Sequence, residues 1–333
     1  MSKPLRAAVA VAIVVSLAPA AGALTSRALT ATATPSLQIL EEPQSGMTRI
    51  DDLLSSARTS VDLEIYELSD QAIEAILAND VHRGVDVRVI LNEHYTESDN
   101  AAAFSYLTRH VVHVHWAPSR FDITHEKAAV IDNRIALVTT MNFTPEYYST
   151  TRDVVVIDSQ PSDVRAIART FEGDWDGGGR ATNPSGDLLW SPGAETALVN
   201  LISSAHHSIY IENEEMDEPY IETALEMAAR REVKVVVVMT QDSEWNAAFN
   251  ELRSTGVEIR LYPYSSNALY IHAKVVDVDP GYADQRVFVG SENFSVASLL
   301  YNRELGIITS NRAVVKTLAS MVERDADGAT ESG

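Results

Sequence analysis

The sequence predicts an α/β sandwich written twice along one chain. Three observations predict it. Segments recur at a fixed offset of 148 residues: Ser55-Ser56-Ala57 as Ser203-Ser204-Ala205, and Gly84 to Leu91 as Glu232 to Met239. Within each copy, β-branched runs alternate with helical patterns, which implies a central sheet that is largely parallel or mixed. Between the copies lies Gly177-Gly178-Gly179-Arg180-Ala181-Thr182-Asn183-Pro184-Ser185-Gly186, a loop by composition.

The elements follow in the same order in each copy. A helix ends near the Ser-Ser-Ala, and a strand follows it (Val61 to Tyr66; Ile209 to Glu212). A second helix is expected from Gln71 to Arg83 and from Tyr220 to Arg231. Next comes a buried strand of continuous Val and Ile, then another helix and a short strand. A strand–turn–strand segment carrying a histidine closes the unit. The copies are placed at residues 37–180 and 190–324, joined by a linker at 181–189, with a polar tail at 325–333.

Residues 1–23 are expected to be removed. Lys3 and Arg6 precede an apolar run from Ala7 to Ala18, and Ala21-Gly22-Ala23 is a small-residue cleavage site. The run is too short to span a bilayer, which takes about 20 residues. A secreted or periplasmic protein is therefore predicted, with a flexible leader at 24–36. The chain has no cysteine, which excludes disulfides, thiol nucleophiles and thiolate metal sites. Its formal charge is −21, and removal of Lys3 and Arg6 takes it to about −23. Such a field weighs against a general nucleic-acid binder.

One motif carries the chemistry. His125-Glu126-Lys127 with Asp132, and His272-Ala273-Lys274 with Asp279, both read H-x-K-x4-D, one in each copy. Composition alone predicts about 0.009 such matches per chain, treating positions as independent draws. On a strand, His and Lys two residues apart share a face. Thr140 and Asn142 follow the first motif, Ser291 and Asn293 the second, and an acid opens the next apolar strand in each, Asp153 and Glu304.

This pattern of H-x-K-x4-D, then a hydroxyl and Asn before Phe, then an acid, resembles the phospholipase D superfamily over nearly the whole chain beyond residue 23. Residues 57–158 also resemble its compact bacterial endonucleases. Two departures occur in copy one, Thr139 in place of the usual Gly and Asp153 in place of the common Glu. The resemblance implies two pseudo-twofold lobes whose motifs meet in one site at the lobe interface. It also implies a two-step, metal-independent reaction through phosphohistidine, with no cofactor.

The residue types fit that chemistry. The transition state of a phosphodiester spreads negative charge over its oxygens, and positive charge and neutral donors there supply much of the catalysis. Lys127 and Lys274 would supply charge, and Thr140, Asn142, Ser291 and Asn293 donors. By family analogy His125 is the nucleophile and His272 the acid and base; the sequence itself does not separate them. Asp153 and Glu304 would each fix a histidine's tautomer. Asp132 and Asp279 complete the catalytic motif, with a bracing role in the strand–turn expected. Glu64 and Glu212 occupy equivalent inward positions, lining the cleft or buried as a pair. His113 and His115 alternate on a strand and are read as structural; no metal ligand set is expected. A monomeric phospholipid-cleaving enzyme in transient contact with a membrane surface is the leading expectation. An exported nuclease and a catalytically inactive binding protein are the alternatives.

Overall fold

The computed structural model describes residues 36–331 apart from 178–179, 182 and 184. The expected cleavable segment at 1–23 and all but the last residue of the leader lie outside the described residues.

Lobe one comprises β1 (Leu37–Glu42), α1 (Thr48–Ser55), β2 (Ser60–Ile65), α2 (Gln71–His82), β3 (Asp86–Leu91), α3 (Glu97–Arg109), β4 (His113–Trp116), β5 (Lys127–Ile131), β6 (Ile135–Thr139), β7 (Thr151–Asp158) and α4 (Pro161–Trp175). Lobe two begins with β8 (Leu188–Ser191), α5 (Glu195–Ser203), β9 (Ser208–Glu212), β10 (Met216–Asp217), α6 (Pro219–Arg230), β11 (Lys234–Thr240) and α7 (Asn246–Ser254). It continues with β12 (Glu258–Tyr262), β13 (Tyr270–Ile271), β14 (Val275–Val278), β15 (Arg286–Gly290), β16 (Phe294–Ser295), α8 (Val296–Leu300), β17 (Glu304–Thr309), α9 (Arg312–Gly328) and β18 (Thr330–Glu331).

The sheet of lobe one runs β1-β7-β6-β5-β2-β3-β4, and that of lobe two runs β18-β12-β11-β9-β14-β15-β17-β8. Both are mixed. β2, β3 and β4 are mutually parallel, while β5 joins β2 antiparallel. β9, β11, β12 and β14 repeat that arrangement. The run Val235-Val236-Val237-Val238 in β11 is buried throughout, as a strand covered on both faces requires. Local capping starts the helices. Asp70 accepts from the amides of Ala72 and Ile73 at the head of α2, and Glu218 accepts from Ile221 ahead of Pro219 in α6.

Three apolar clusters make the core. One lies in lobe one under α1–α3, one in lobe two under α5–α7. The third is shared. It joins β5, β6, β7 and α4 of lobe one to β14, β15, β17 and α9 of lobe two, with Val138, Val156, Ile167, Val275, Val289 and Leu318 among its members. Two lobes that share a core bury the faces that carry their motifs.

Two boundaries differ from expectation. β8 starts at Leu188, inside the expected linker, because it pairs antiparallel with β17. The expected polar tail is not a tail: α9 runs on to Gly328, Asp325 is buried in an ion pair, and β18 pairs with β12. Its polar residues misled because one of them is satisfied inside the protein.

Candidate active site

Each histidine is seated by the other lobe. Ahead of His272, β13 pairs parallel with β7, Tyr270 opposite Thr151 and Ile271 opposite Arg152. The His272 amide then donates to the Arg152 carbonyl at 3.1 Å. Ahead of His125, Thr124 bridges Arg303, and the amides of His125 and Glu126 donate to the Arg303 carbonyl at 2.9 and 2.8 Å. Two short ladders therefore stitch each motif to the strand that carries the other lobe's acid.

The acids cross accordingly. Glu304 Oε2 lies 3.0 Å from His125 Nδ1, and Asp153 Oδ1 lies 2.8 Å from His272 Nδ1. With Nδ1 held, Nε2 is the ring nitrogen left for chemistry, and that of His272 lies 3.4 Å from Glu214 Oε2. The arginines beside the acids cross too. Arg152 binds Asp325 of α9 through Nε at 2.5 Å and Nη2 at 2.9 Å. Arg303 binds Asp174 of α4 through Nη2 at 2.9 Å, and Arg120 pairs with the same carboxylate.

The lysines fold back on their own motifs. Lys127 Nζ donates to the His125 carbonyl at 2.6 Å, and Lys274 Nζ to that of His272 at 2.5 Å. Both are fully buried. Their surroundings differ. Lys127 lies 5.2 Å from the centre of the Tyr66 ring, whereas Lys274 is 3.0 Å from Glu214 Oε2. Burial pushes the Lys127 ammonium down to about 7. Burial likewise pushes His125 down to about 4, against the opposing pull of Glu304. The nucleophile candidate is therefore neutral at ordinary pH, as attack through a ring nitrogen requires. Burial raises the carboxyl of Glu304, yet the adjoining His125 and Lys127 hold it below its usual value.

The expected neutral donors divide. Asn142 and Asn293 line the cavity with both histidines, Asp153 and Tyr66. Thr140 and Ser291 do not serve the phosphate as expected. Thr140 Oγ1 donates to Asp153 at 2.6 Å and accepts from the Val154 amide; Ser291 Oγ accepts from the Leu305 amide beside Glu304, with which it also hydrogen-bonds. Both hydroxyls lie beneath the acids and hold them in place. Ser298 and Asn302, absent from the sequence prediction, bind Glu304 at 2.8 and 3.2 Å. The departure at Thr139 has a local cause. A side chain at its counterpart Gly290 would lie 2.4 Å from the buried Glu292 carboxylate, whereas lobe one has Met141 in place of Glu292.

The motif aspartates, expected among the catalytic residues, are absent from the cavity wall. The Asp132 carboxylate accepts from the amides of Arg58, Thr59 and Ser60, and Asp279 from those of His206, His207 and Ser208. Both sit at positive φ, 54° and 50°, where Asp is tolerated. They tie the ends of β5 and β14 to the starts of their sheet neighbours β2 and β9.

Glu64 and Glu212 do not line the cleft and do not pair with each other. Glu212 packs with Asp325 and Arg152, and Glu64 with Glu126, Asp174 and Arg303. Burial raises both carboxyls well above the usual range. Ligand atoms of Glu64, Glu126 and Asp174 lie within 4.8 Å of one another, the one such carboxylate group among the described residues. The sequence reading foresaw no such set, because its members are 48 or more residues apart. Two arginines already neutralise Asp174 there. His115 stacks on Trp175 at 3.7 Å between centroids, a structural contact.

The cavity has a volume of about 980 Å³ and is bounded by both lobes. Tyr66, Tyr95, Tyr147, Tyr148, Tyr264 and Tyr270 line it, together with the carboxylates Glu67, Asp122, Asp153, Glu214 and Glu215. Neither lysine nor arginine is among the described residues of its wall.

The family model described as the PLD-like domain of cardiolipin synthase matches twice, at residues 50–175 and 198–326. No curated protein matches the sequence. Among solved structures, the chain is similar to polyphosphate kinase from Porphyromonas gingivalis, with a TM-score of 0.66 and 16% identity. That overlay covers 87% of this chain and 50% of the kinase, so the chain spans half the kinase's length. Phosphatidylserine synthase from Haemophilus influenzae Rd KW20 overlays with a TM-score of 0.66 and 13% identity, covering 87% of this chain and 86% of the synthase. Nuc, a phospholipase D family member from Salmonella typhimurium, is 26% identical with a TM-score of 0.41, covering 44% of this chain and 97% of Nuc.

Proposed function

This chain belongs to the phospholipase D superfamily, and on that premise we propose that it cleaves phospholipid headgroup diesters through a phosphohistidine on His125. Membership makes it a phosphodiesterase or a transferase; the lipid substrate and the preference for water as acceptor are the proposal. Neutral His125 attacks phosphorus through Nε2, and the P–O bond to the headgroup alcohol breaks. Protonated His272 gives its Nε2 proton to the departing oxygen. In the second step His272 takes a proton from water, whose oxygen attacks phosphorus and breaks the P–N bond. An alcohol in place of that water gives transfer. Asn142 and Asn293 on the cavity wall would donate to the non-bridging oxygens, and the buried lysines would supply positive charge from beneath.

The wall composition favours a lipid over a nucleic acid. A polynucleotide would lay phosphates on either side of the scissile one against Glu67, Glu215 and Asp122. A phospholipid carries one phosphate, and a cationic headgroup suits tyrosines and carboxylates. Release of headgroup from phosphatidylcholine and of fragments from single-stranded DNA, measured side by side in EDTA, tests this. Lipid turnover without DNA cleavage is expected, and the reverse would make the protein a nuclease. Loss of activity in EDTA, restored by one divalent ion, would count against the metal-independent mechanism. A catalytically inactive binding protein would form no acid-labile adduct on His125 with a p-nitrophenyl diester. Export with cleavage near Ala23 and a monomeric working state belong to the same proposal. N-terminal sequencing of the secreted protein checks the first, and light scattering the second. No described helix is long and apolar enough to cross a membrane.

A further inference from the structure

Glu214 holds a position its counterpart in lobe one does not. At the repeat offset of 148 it corresponds to Tyr66, so one copy places an aromatic ring, the other a carboxylate, at the end of the strand beside the motif. Its Oε2 lies 3.0 Å from Lys274 Nζ, 3.4 Å from His272 Nε2 and 3.4 Å from Asn293 Nδ2; its Oε1 accepts from Tyr270 at 2.7 Å. His272 and Asn293 are lobe two's donors on the cavity wall, and the Lys274 ammonium lies buried behind Glu214. One side chain engages all three.

We propose that Glu214 is an internal stand-in for the substrate phosphate, closing lobe two's half of the site until an anionic ligand displaces it. This rests on the diester reading of the same cavity. Three features support displacement over coexistence. A second anion cannot share those donors without setting like charges a few ångströms apart in a buried place, which is strongly unfavourable. His272 Nε2 must be free to reach the leaving oxygen, and Glu214 faces it. Finally, Glu214 lies between the short strands β9 and β10 and its side chain is partly open to the cavity, so a rotamer change moves the carboxylate without disturbing the sheet. The neighbouring backbone is pinned by Asn213, whose Oδ1 accepts from the amides of Glu215 and Phe294. Substrate affinity is then the intrinsic affinity multiplied by the fraction of time the carboxylate is away.

Glu214→Gln and Glu214→Ala test this, with inorganic phosphate as the probe in calorimetry and bis(p-nitrophenyl) phosphate as the soluble substrate. If the open arrangement is populated about one time in ten, both variants should bind phosphate about tenfold more tightly than the parent, and KM should fall. Phosphate binding that is unchanged or weaker, with kcat reduced, would overturn the proposal and make Glu214 a positioning residue for His272. Should the variants not fold, a crystal of the parent protein with phosphate decides. Phosphate bound to Lys274 and Asn293 with Glu214 swung away supports the proposal; Glu214 still on Lys274 with phosphate bound in the cavity refutes it. Displacement of Glu214 by phosphate in a protein that cleaves no diester would uphold this proposal while ending the diesterase reading.

Discussion

Crossed carboxylates give the two histidines separable roles at the level of single residues. Glu304 touches His125 and Asp153 touches His272, so each acid's loss should impair the other lobe's histidine. With a p-nitrophenyl diester, whose leaving group scarcely needs a proton, Glu304→Gln should slow adduct formation by about 10²–10⁴. Asp153→Asn should leave that step running and let the His125 adduct accumulate. Rapid quenching with peptide mapping reads both, and the opposite pattern would show that the crossing does not govern the chemistry. A pH profile reports the buried cation. Lys127 loses its proton from the free enzyme above about 7, so kcat/KM for an anionic diester should fall on the alkaline side with an apparent pKa near 7. A profile flat to pH 9 would contradict it. The histidines and lysines were legible because their motif occurs twice at matched positions. The crossing was not, since it depends on which faces the lobes bury. Thr140 and Ser291 misled for a related reason: a hydroxyl beside an asparagine reads as a substrate donor until the acid beneath it is seen.

Among the elements, α9 carries more than its sequence suggests. Its last turn supplies Asp325, the bidentate partner of a guanidinium buried within the fold. Ending the chain after residue 324 leaves Arg152 buried beside a lost partner, for which about 3–5 kcal/mol of destabilisation is expected. It also removes β18 from the edge of β12. A fall in the urea midpoint with the slope unchanged would show it; a midpoint equal to the parent's would refute it. Helix and strand positions were largely readable, because Val-rich runs and alternating patterns fix element type. The expected helix at Gln71 to Arg83 ends one residue earlier, at His82, and that at Tyr220 to Arg231 is Pro219–Arg230. What composition hid was the interior use of charged residues such as Asp325.

For the molecule as a whole, buried acids set the response to pH. Burial raises Asp158 to about 7, Asp277 to about 8 and Glu126 to about 8. Between the ordinary carboxyl range and these values the folded chain holds protons that the unfolded chain has released, so stability falls as pH rises. His125, lowered to about 4, acts the other way between 4 and 6.5, where only the unfolded chain is protonated. With Asp80 raised to about 6 and Glu222 to about 7 as well, the acids outnumber the histidine, and a melting temperature lower at pH 7 than at pH 5 is expected. A melting temperature that climbs over that interval would overturn the balance. Two lobes, their order and their shared kind of sheet were visible in the repeat; their common core was not, because apolar strands do not announce their partners.

The paired ladders that seat each lobe's histidine on the other lobe make the halves interdependent in structure. On that shared seam each half holds the stretch of backbone that aims its neighbour's reacting ring. Away from the seam the halves are free to specialise, since one chain always supplies one of each. Tyr66 facing Lys127 and Glu214 facing Lys274 are such a divergence. A pair of identical halves would have to place the same side chain beside both lysines. Joined in one polypeptide, one half can become the attacking side and the other the proton-handling side without either having to serve both purposes.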